Sequence, residues 1–327
     1  MLEHGGRLQR AAREYGIPLE RWLDLSTGIS PFAWPVPAIP PAVWQRLPED
    51  DDGLIDAARA YYATPQVLPV AGSQAAIQAL PSLRKPSRVG VIAPGYAEHA
   101  QAWRSAGHDV ACVSADVLLA DLTRWDVVLL IHPNNPGGER FQVQDLLRVH
   151  AEMAARDGWL LVDEAFMDVT PEHSLCAYTE REGLIVLRSV GKFFGMAGAR
   201  AGFVCAAAPL LEALQEQLGP WTLSGPTRYV LRQALADRHW QTTARLRLDT
   251  ASRLLAALLA KHSLGPTAGC GLFQWCRRED APAMHRGLAR RGILTRLFDA
   301  PASLRFGLLP DEAAFQRLDA TLAEVLQ

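Results

Sequence analysis

Hydrophobic positions follow two alternating patterns from about residue 54 onward. Some stretches repeat apolar residues with a helical period, which predicts helices at 54–63, from Gln74, after Tyr96 and at 143–156. Between them lie short continuous apolar runs, which predict strands at 67–70, 88–93, 126–131, 159–162, 184–187 and 203–205. Because such runs are typical of strands buried on both faces, the pattern predicts an α/β fold with a large, mainly parallel central sheet.

The flanking regions read differently from this central part. Residues 31–48 contain six prolines, so we expect an extended connector without regular helix or strand. Residues 226–262 read as one long helical stretch, followed by a glycine-rich break and a strand–helix–strand–strand–helix run. This end of the chain predicts a smaller α+β domain. The predicted division is an N-terminal arm and connector at 1–40, a large domain at 41–222 and a small domain at 223–327.

Composition favours an enzyme that acts on small molecules. Hydrophobic residues make up 49% of the chain, charged residues 21%, and the formal net charge is -2, which favours neither a nucleic acid nor an anionic membrane as partner. Five scattered cysteines without a C-x-x-C pair argue against a disulfide framework and a metal site. We see no export signal in the polar residues 1–13 and no run long enough to span a membrane, so we expect a cytoplasmic protein.

One lysine stands out among the 33 basic residues, of which only three are lysines. Lys192 follows the strand at 184–187 in a sequence with two phenylalanines and two glycines, which suggests a tight, partly buried turn. A buried amine loses its proton readily and becomes a nucleophile towards an aldehyde, although a lysine that reaches from such a turn to solvent is the alternative. Small residues surround Arg200 and would let its guanidinium approach an anion. Ser189, Lys192 and Arg200 could therefore hold an aldehyde cofactor and its phosphate.

Two further positions have the chemistry of such a site. Asp163 ends an apolar strand, where a carboxylate could keep a pyridine nitrogen protonated, unless it is an ordinary helix N-cap. Gly72-Ser73-Gln74 comes between a predicted strand and a helix expected to begin near residue 75. Backbone amides there could bind a phosphate, and the alternative is a plain serine N-cap.

These residues resemble the motifs of the aspartate-aminotransferase superfamily, which is pyridoxal 5′-phosphate (PLP) fold type I. The pattern S-x-x-K followed by G-x-x-G-x-R-x-G is similar to its Schiff-base motif, 163–166 reads D-E-A-F where the family has D-E-A-Y, and 132–138 is similar to N-P-N-N-P-x-G. The resemblance implies that Lys192 bears the cofactor, Asp163 faces the pyridine nitrogen and Tyr96 stacks on the ring, these three being catalytic. It also assigns cofactor contacts to Gly72, Ser73, Gln74, Asn135, Ser189 and Arg200. Taken alone, the segment around Asn135 is an ordinary turn and Tyr96 an ordinary core residue.

The chain departs from the family pattern at two tyrosines. Phe166 replaces the tyrosine whose hydroxyl would contact the cofactor 3′-oxygen, and Leu47-Pro48 stands where relatives have Tyr-Pro. In the family that second tyrosine reaches the cofactor phosphate of the partner subunit. The resemblance still implies a homodimer, but with a weaker contact across the site.

Shorter patterns narrow the resemblance. Residues 3–6 (E-H-G-G), 23–31, 163–168 (D-E-A-F-M-D) and 293–296 (I-L-T-R) look like the threonine-phosphate decarboxylases of cobalamin biosynthesis, relatives of histidinol-phosphate aminotransferase. This implies decarboxylation of O-phospho-L-threonine to (R)-1-amino-2-propanol O-phosphate. His4, Gly5, Gly6 and Arg296 could form an anion site for the substrate phosphate, Arg305 resembles the arginine that grips the α-carboxylate, and Asn135 would also contact substrate.

Each of these substrate residues has an ordinary alternative, because a terminal histidine or a strand arginine commonly lies at the surface. Two other functions remain open. A histidinol-phosphate-type aminotransferase would share every cofactor residue, and a non-catalytic scaffold could retain the fold.

Overall fold

The computed structural model describes residues 4–326. Its strands, in chain order, are β1 Leu23–Asp24, β2 Leu68–Val70, β3 Arg88–Ile92, β4 Asp109–Val113, β5 Val127–Ile131, β6 Trp159–Asp163, β7 Leu184–Ser189, β8 Gly202–Cys205, β9 Ala268–Cys270, β10 Phe273–Arg277, β11 Ile293–Leu294, β12 Arg296–Asp299 and β13 Ala302–Gly307. The helices are α1 Leu8–Tyr15, α2 Pro41–Gln45, α3 Leu54–Tyr62, α4 Ser73–Ala79, α5 Glu98–Ser105, α6 Ala115–Ala120, α7 Val143–Ala154, α8 Val190–Phe193, α9 Ala208–Leu218, α10 Gly225–Ala236, α11 Arg238–Lys261, α12 Ala281–Ala289 and α13 Glu312–Val325.

A seven-stranded sheet organises the compact unit formed by residues 33–135 and 139–241. The strand order is β2-β8-β7-β6-β5-β3-β4, in which β7 to β4 run parallel while β8 and β2 are antiparallel to their neighbours. Every residue of β5 and β7 is buried, as expected for strands covered on both faces. The predicted α/β fold with a mainly parallel sheet is confirmed.

The second compact unit comprises the chain up to residue 32, residues 136–138 and the chain from residue 242. It contains an antiparallel sheet of order β12-β13-β10-β9 and a parallel pair, β1 with β11. Helices α12 and α13 pack against each other, and α12 also packs on β13. This is the expected α+β arrangement. The three-part division at residues 40 and 222 stays a prediction.

The structure differs from the sequence prediction where local chemistry outweighs periodicity. Within the proline-rich segment, Pro41 begins the short helix α2 at a position whose N–H has no helical partner, so proline is tolerated there. The single helix predicted at 226–262 is two helices, because Asp237 separates α10 from α11. Its carboxylate accepts the Trp240 N–H at 3.0 Å and the Trp34 indole N–H at 3.0 Å, which stops one helix and caps the next.

Further elements that the sequence did not predict are α1, β1, β4, α6 and α9. The strand β4 is an edge strand with a mixed, half-exposed residue pattern, so it lacks the continuous apolar run that identifies the inner strands. Within residues 4–326, no helix combines the length and the apolar character that crossing a membrane requires.

Candidate active site

The carboxyl ends of adjacent parallel strands gather the predicted site residues of the larger unit. Asp163 is the last residue of β6, in register with Ile131 of β5 and Leu187 of β7. Asn135 follows β5, and Lys192 follows β7. In parallel sheets this edge is where ligands bind, because the loops after the strands meet there.

Asp163 is the buried acid of this edge, with only 3% of its surface exposed. Its Oδ2 lies 2.8 Å from Nε2 of His99, and its Oδ1 accepts the Ala165 N–H at 3.0 Å. Asp163 is therefore part of a tight turn after β6 and does not cap a helix. Each carboxylate oxygen can accept one further hydrogen bond.

His99 was missed by the sequence analysis, although it is fully buried and contacts the predicted acid directly. It lies at the start of α5, three residues after Tyr96, and the two rings meet edge-on with centroids 6.0 Å apart. The Tyr-x-x-His spacing at a helix start was the available signal, because residues three apart share a helix face. It could not show that the partner of His99 would be Asp163.

Lys192 lies in α8, a single helical turn, which is the form that the predicted tight turn takes. The residue is half-buried, and its Nζ lies 5.7 Å from the centroid of the Phe166 ring. The next residues are anchored in the core, where Phe193 is fully buried and Phe194 stacks on Trp240 with centroids 5.4 Å apart. The backbone that bears Lys192 is thus fixed by aromatic packing.

The other two lysines have ordinary surroundings. Lys85 is exposed, and the exposed Lys261 pairs with Asp319 at 2.7 Å. Among the three lysines of the chain, Lys192 alone lies beside the carboxylate-bearing sheet edge.

Two glycines leave room for an anion-binding cradle. A Cβ atom at Gly202 would lie 2.6 Å from the backbone nitrogen of Ser73, and one at Gly72 would lie 2.9 Å from Nη2 of Arg200. Gly202 is also in register with Ser189 of β7. The structure thus brings the Ser73 amide close to Ser189 and Arg200, two residues that the sequence motif had already grouped.

Helix α4 begins one to two residues earlier than expected. Its N-cap is Gly72, at φ 76°, and no side chain caps it, so Ser73 is the first helical residue and not a serine N-cap. Gln74 connects this helix to the loop after β3, because its Oε1 accepts the Tyr96 hydroxyl at 3.1 Å and its Nε2 donates to Glu98 at 3.2 Å. Burial, with the charge of Glu98, raises the pKa of Tyr96 to about 12.

The loop after β5 is held by Asn134, the neighbour of the predicted Asn135. The Asn134 side chain donates to Pro94 O at 2.9 Å and to Glu139 at 2.8 Å, and accepts the Asn135 N–H at 2.8 Å. Asn134 thereby ties this loop to the segment that leads to Tyr96. Asn135 itself is half-buried.

Beneath the sheet edge lies a buried ionic cluster that sequence reasoning also missed. Arg188 donates to Glu164 and to Asp168, at 2.5 Å each, and Tyr61 donates to Asp168 at 3.0 Å. Burial raises the pKa of Glu164, while Arg188 opposes that shift. Burial alone would lower the pKa of Arg188, but the adjacent carboxylates, Asp168 foremost, raise it well above its usual range. The sequence contained two signals for this cluster. Glu164 and Asp168 are four residues apart, and Arg188 directly precedes the S-x-x-K motif.

Apart from Asn135, the predicted substrate residues belong to the smaller unit. Arg305 and Arg296 are direct cross-strand partners on β13 and β12, so their side chains lie on the same face of the sheet. Burial, followed by the charge of Arg296, lowers the pKa of Arg305 to about 10. Ser26 joins Arg305 to the N-terminal residues: its carbonyl accepts from Arg305 Nη2 at 2.9 Å and its Oγ accepts the Gly6 N–H at 2.7 Å.

The structure thus brings the segment His4–Gly5–Gly6 and Arg305 to Ser26, with Arg296 opposite Arg305. Glu3 of the same N-terminal pattern lies outside the described residues. Within residues 4–326, no three His, Cys, Asp or Glu side chains are grouped so that they could hold a metal ion.

Comparison with known proteins agrees with this geometry. The family model of aminotransferase class I and II matches residues 50–318. The curated threonine-phosphate decarboxylase of Pseudomonas aeruginosa is 58% identical over 98% of this chain and 97% of its own length, and that of a Sinorhizobium species is 42% identical over 98% of each. The solved structure of histidinol-phosphate aminotransferase from Sinorhizobium meliloti in complex with pyridoxal-5′-phosphate superposes with a TM-score of 0.84 at 20% identity, covering 99% of this chain and 95% of that one.

Proposed function

Because the chain belongs to the class I and II aminotransferase family, we propose that it is a PLP-dependent decarboxylase. Its substrate is O-phospho-L-threonine and its product (R)-1-amino-2-propanol O-phosphate, the aminopropanol unit of cobalamin. One observation carries the proposal, the 58% identity to a threonine-phosphate decarboxylase along essentially the full length of both chains. The decarboxylase patterns at both ends of the sequence support it.

The residues of the larger unit fit PLP. The Ser73 amide and the Arg200 guanidinium are donors of the kind that bind a phosphate, and the glycines Gly72 and Gly202 allow these groups to approach closely. Asp163 is a buried acceptor for a pyridinium N–H, and Lys192 is an amine for the aldehyde. When bound, PLP supplies an electron sink for the electron pair released as a bond to the substrate Cα breaks.

The groups around Asp163 orient its carboxylate. His99 and the Ala165 backbone amide each form a hydrogen bond with one of its two oxygens. Tyr96 keeps its hydroxyl proton at physiological pH and is fixed by its bond to Gln74. After decarboxylation, Lys192 Nζ would deliver a proton to the substrate Cα.

Specificity comes from the arginines. Arg305 would bind the substrate α-carboxylate, and Arg296 with His4, Gly5 and Gly6 would bind the substrate phosphate. The support for this assignment is that Arg296 and Arg305 are cross-strand partners on one sheet face, where two guanidinium groups can bind the anionic groups of one substrate. Phe166, in place of a tyrosine, contributes its ring to Lys192 and no hydroxyl.

The activity is tested by incubating the holoenzyme with O-phospho-L-threonine and measuring CO2 and the phosphorylated amino alcohol. We expect CO2 release without any keto acid. A 2-oxoglutarate-dependent amine exchange with histidinol phosphate, and no CO2, would instead assign the chain to the aminotransferases.

Covalent labelling tests the cofactor lysine separately from activity. The purified protein should be yellow, and borohydride reduction followed by peptide mass spectrometry should find the pyridoxyl group on Lys192. Lys192→Ala should lose both the colour and the label, while the exposed Lys85→Ala is the matched control and should keep both. A label on Lys85 or Lys261, or a colourless protein that PLP cannot reconstitute, would contradict the assignment and favour a scaffold.

We place the enzyme in the cytoplasm as a homodimer. The five cysteines form no disulfide in the structure, which fits a reducing compartment. Val36, Trp44 and Leu47 lie in one segment with 54%, 66% and 65% of their surface exposed, an unusual density of exposed apolar side chains that a second copy would cover. Light scattering of the wild type should give twice the monomer mass. The Trp44→Arg variant should give a lower mass, because the substitution places a charge in the proposed dimer contact.

A further inference from the structure

Ser26 occupies a junction that the proposed chemistry leaves without a role. It is 2% exposed, and its side chain and its backbone face different partners. The hydroxyl accepts the Gly6 N–H at 2.7 Å, whereas the carbonyl accepts from Arg305 Nη2 at 2.9 Å. One residue therefore contacts both groups that would recognise the two anionic ends of the substrate.

The Ser26 hydroxyl is oriented by Asp24. The hydroxyl donates to Asp24 Oδ1 at 2.6 Å, and the Ser26 N–H donates to the same oxygen at 2.9 Å. Because its proton is committed to that carboxylate, the hydroxyl oxygen is left to accept from Gly6. Asp24 thus fixes the orientation of the Ser26 hydroxyl, so that a lone pair of its oxygen is available to the Gly6 N–H.

The backbone on either side of Ser26 is fixed to two strands. Leu25 N–H donates to Leu294 O at 2.7 Å, and Gly307 N–H donates to Leu25 O at 2.7 Å. Leu294 is two residues before Arg296, and Gly307 is two residues after Arg305. The Ser26 segment is therefore held in register with both arginines.

Gly5 shows how closely the N-terminal segment approaches this junction. A Cβ atom at Gly5 would collide with the Ser26 carbonyl oxygen, the same oxygen that Arg305 contacts. Only glycine allows the chain to lie against Ser26 here, and the Gly6 amide then reaches the Ser26 hydroxyl.

We propose that Ser26 is a positioning residue that holds the His4–Gly6 segment against Arg305, and that it thereby sets the preference for a phosphorylated over an unphosphorylated amino acid. The inference rests on the proposed function. Because Ser26 would act through its hydrogen bonds to Gly6 and Arg305, its loss should weaken recognition of the phosphate and leave the chemical step unchanged.

The test compares Ser26→Ala with the wild-type holoenzyme in binding and turnover. Loss of one hydrogen bond predicts a threefold to tenfold rise, to order of magnitude, in KM for O-phospho-L-threonine and in the inhibition constant of inorganic phosphate. The inhibition constant of L-threonine, which lacks the phosphate, and kcat should not change. Inorganic phosphate should also raise the melting temperature of the wild-type holoenzyme more than that of the variant.

Two further variants separate positioning from simple loss of stability. Gly5→Ala should also raise the inhibition constant of inorganic phosphate, because it displaces the segment from the other side. Ser303→Ala is the matched control, because Ser303 is fully buried on β13 and its hydroxyl donates to Pro301 O at 2.7 Å. The Ser303→Ala variant should have the same ratio of inhibition constants, that for inorganic phosphate divided by that for L-threonine, as the wild type.

The outcomes distinguish this inference from the proposed function. If the wild type releases no CO2 from O-phospho-L-threonine, the proposed function fails. The positioning role of Ser26 is refuted if the wild type is active and Ser26→Ala changes neither KM for O-phospho-L-threonine nor the inhibition constant of inorganic phosphate. It is also refuted if Ser26→Ala raises the inhibition constant of L-threonine by the same factor.

Discussion

Replacing Arg188 with methionine removes the only cation of the buried cluster formed with Glu164 and Asp168. Both carboxylates are at most 1% exposed, so neither can regain the hydration that the guanidinium replaces. Breaking a buried ion pair in this way costs about 3–5 kcal/mol. For a unit of about 200 residues, that corresponds to a fall in melting temperature on the order of 10 °C.

The loss should depend on pH, because Glu164 can escape the unpaired state by binding a proton. Burial already raises its pKa above the usual 4.5, and Arg188 is the strongest influence that lowers it. Without Arg188 the pKa rises further. A carboxyl whose pKa is raised in the folded state stabilises the fold below its unfolded pKa and loses that contribution as pH rises through the folded value. Arg188→Met should therefore be less destabilised at pH 5.5 than at pH 8.

Thermal unfolding of the variant at both pH values is the assay. The matched control is Arg88→Met, which breaks the exposed pair with Asp126 and should cost at most about 1 kcal/mol. Adding Glu164→Gln to Arg188→Met should recover part of the loss. If Arg188→Met is no less stable than the Arg88 control, or its loss does not vary with pH, the reasoning about the buried cluster is wrong.

Three other predictions concern the candidate active site. His99→Phe removes a hydrogen bond from the buried Asp163 carboxylate and leaves one of its oxygens unsatisfied, at a cost of about 1–3 kcal/mol. The kcat should therefore fall about fivefold to a hundredfold in steady-state assays, and an unchanged kcat would contradict this. Gly202→Ala crowds the first amide of α4 at a cost of about 1–3 kcal/mol, so PLP should bind more weakly in equilibrium dialysis. The control is Gly198→Ala, which has open space for the added methyl group and should bind PLP as the wild type does. Because the pKa of Tyr96 is about 12, Tyr96→Phe should not alter the shape of the pH–activity profile between pH 6 and 10, and a changed shape would show that the phenol titrates there.

Much of the fold was accessible from the sequence because the inner strands of the large sheet are buried on both faces. Burial on both faces requires continuous apolar runs, and those of β5, β6 and β7 are visible in the residues alone. The edge strand β4 and the helix break at Asp237 were missed, since exposure weakens the pattern of the strand and a single side-chain cap interrupts a helical period.

The sequence by itself determined the alternation of strands and helices, the motif that contains Lys192, and the resemblance that these residues support. Only the tertiary structure decided which residues meet. His99 reaches Asp163 across 64 positions and Arg305 reaches Ser26 across 279. Periodicity reports how each segment is buried, but a hydrogen bond between distant segments depends on strand order and register, which arise only when the whole chain packs.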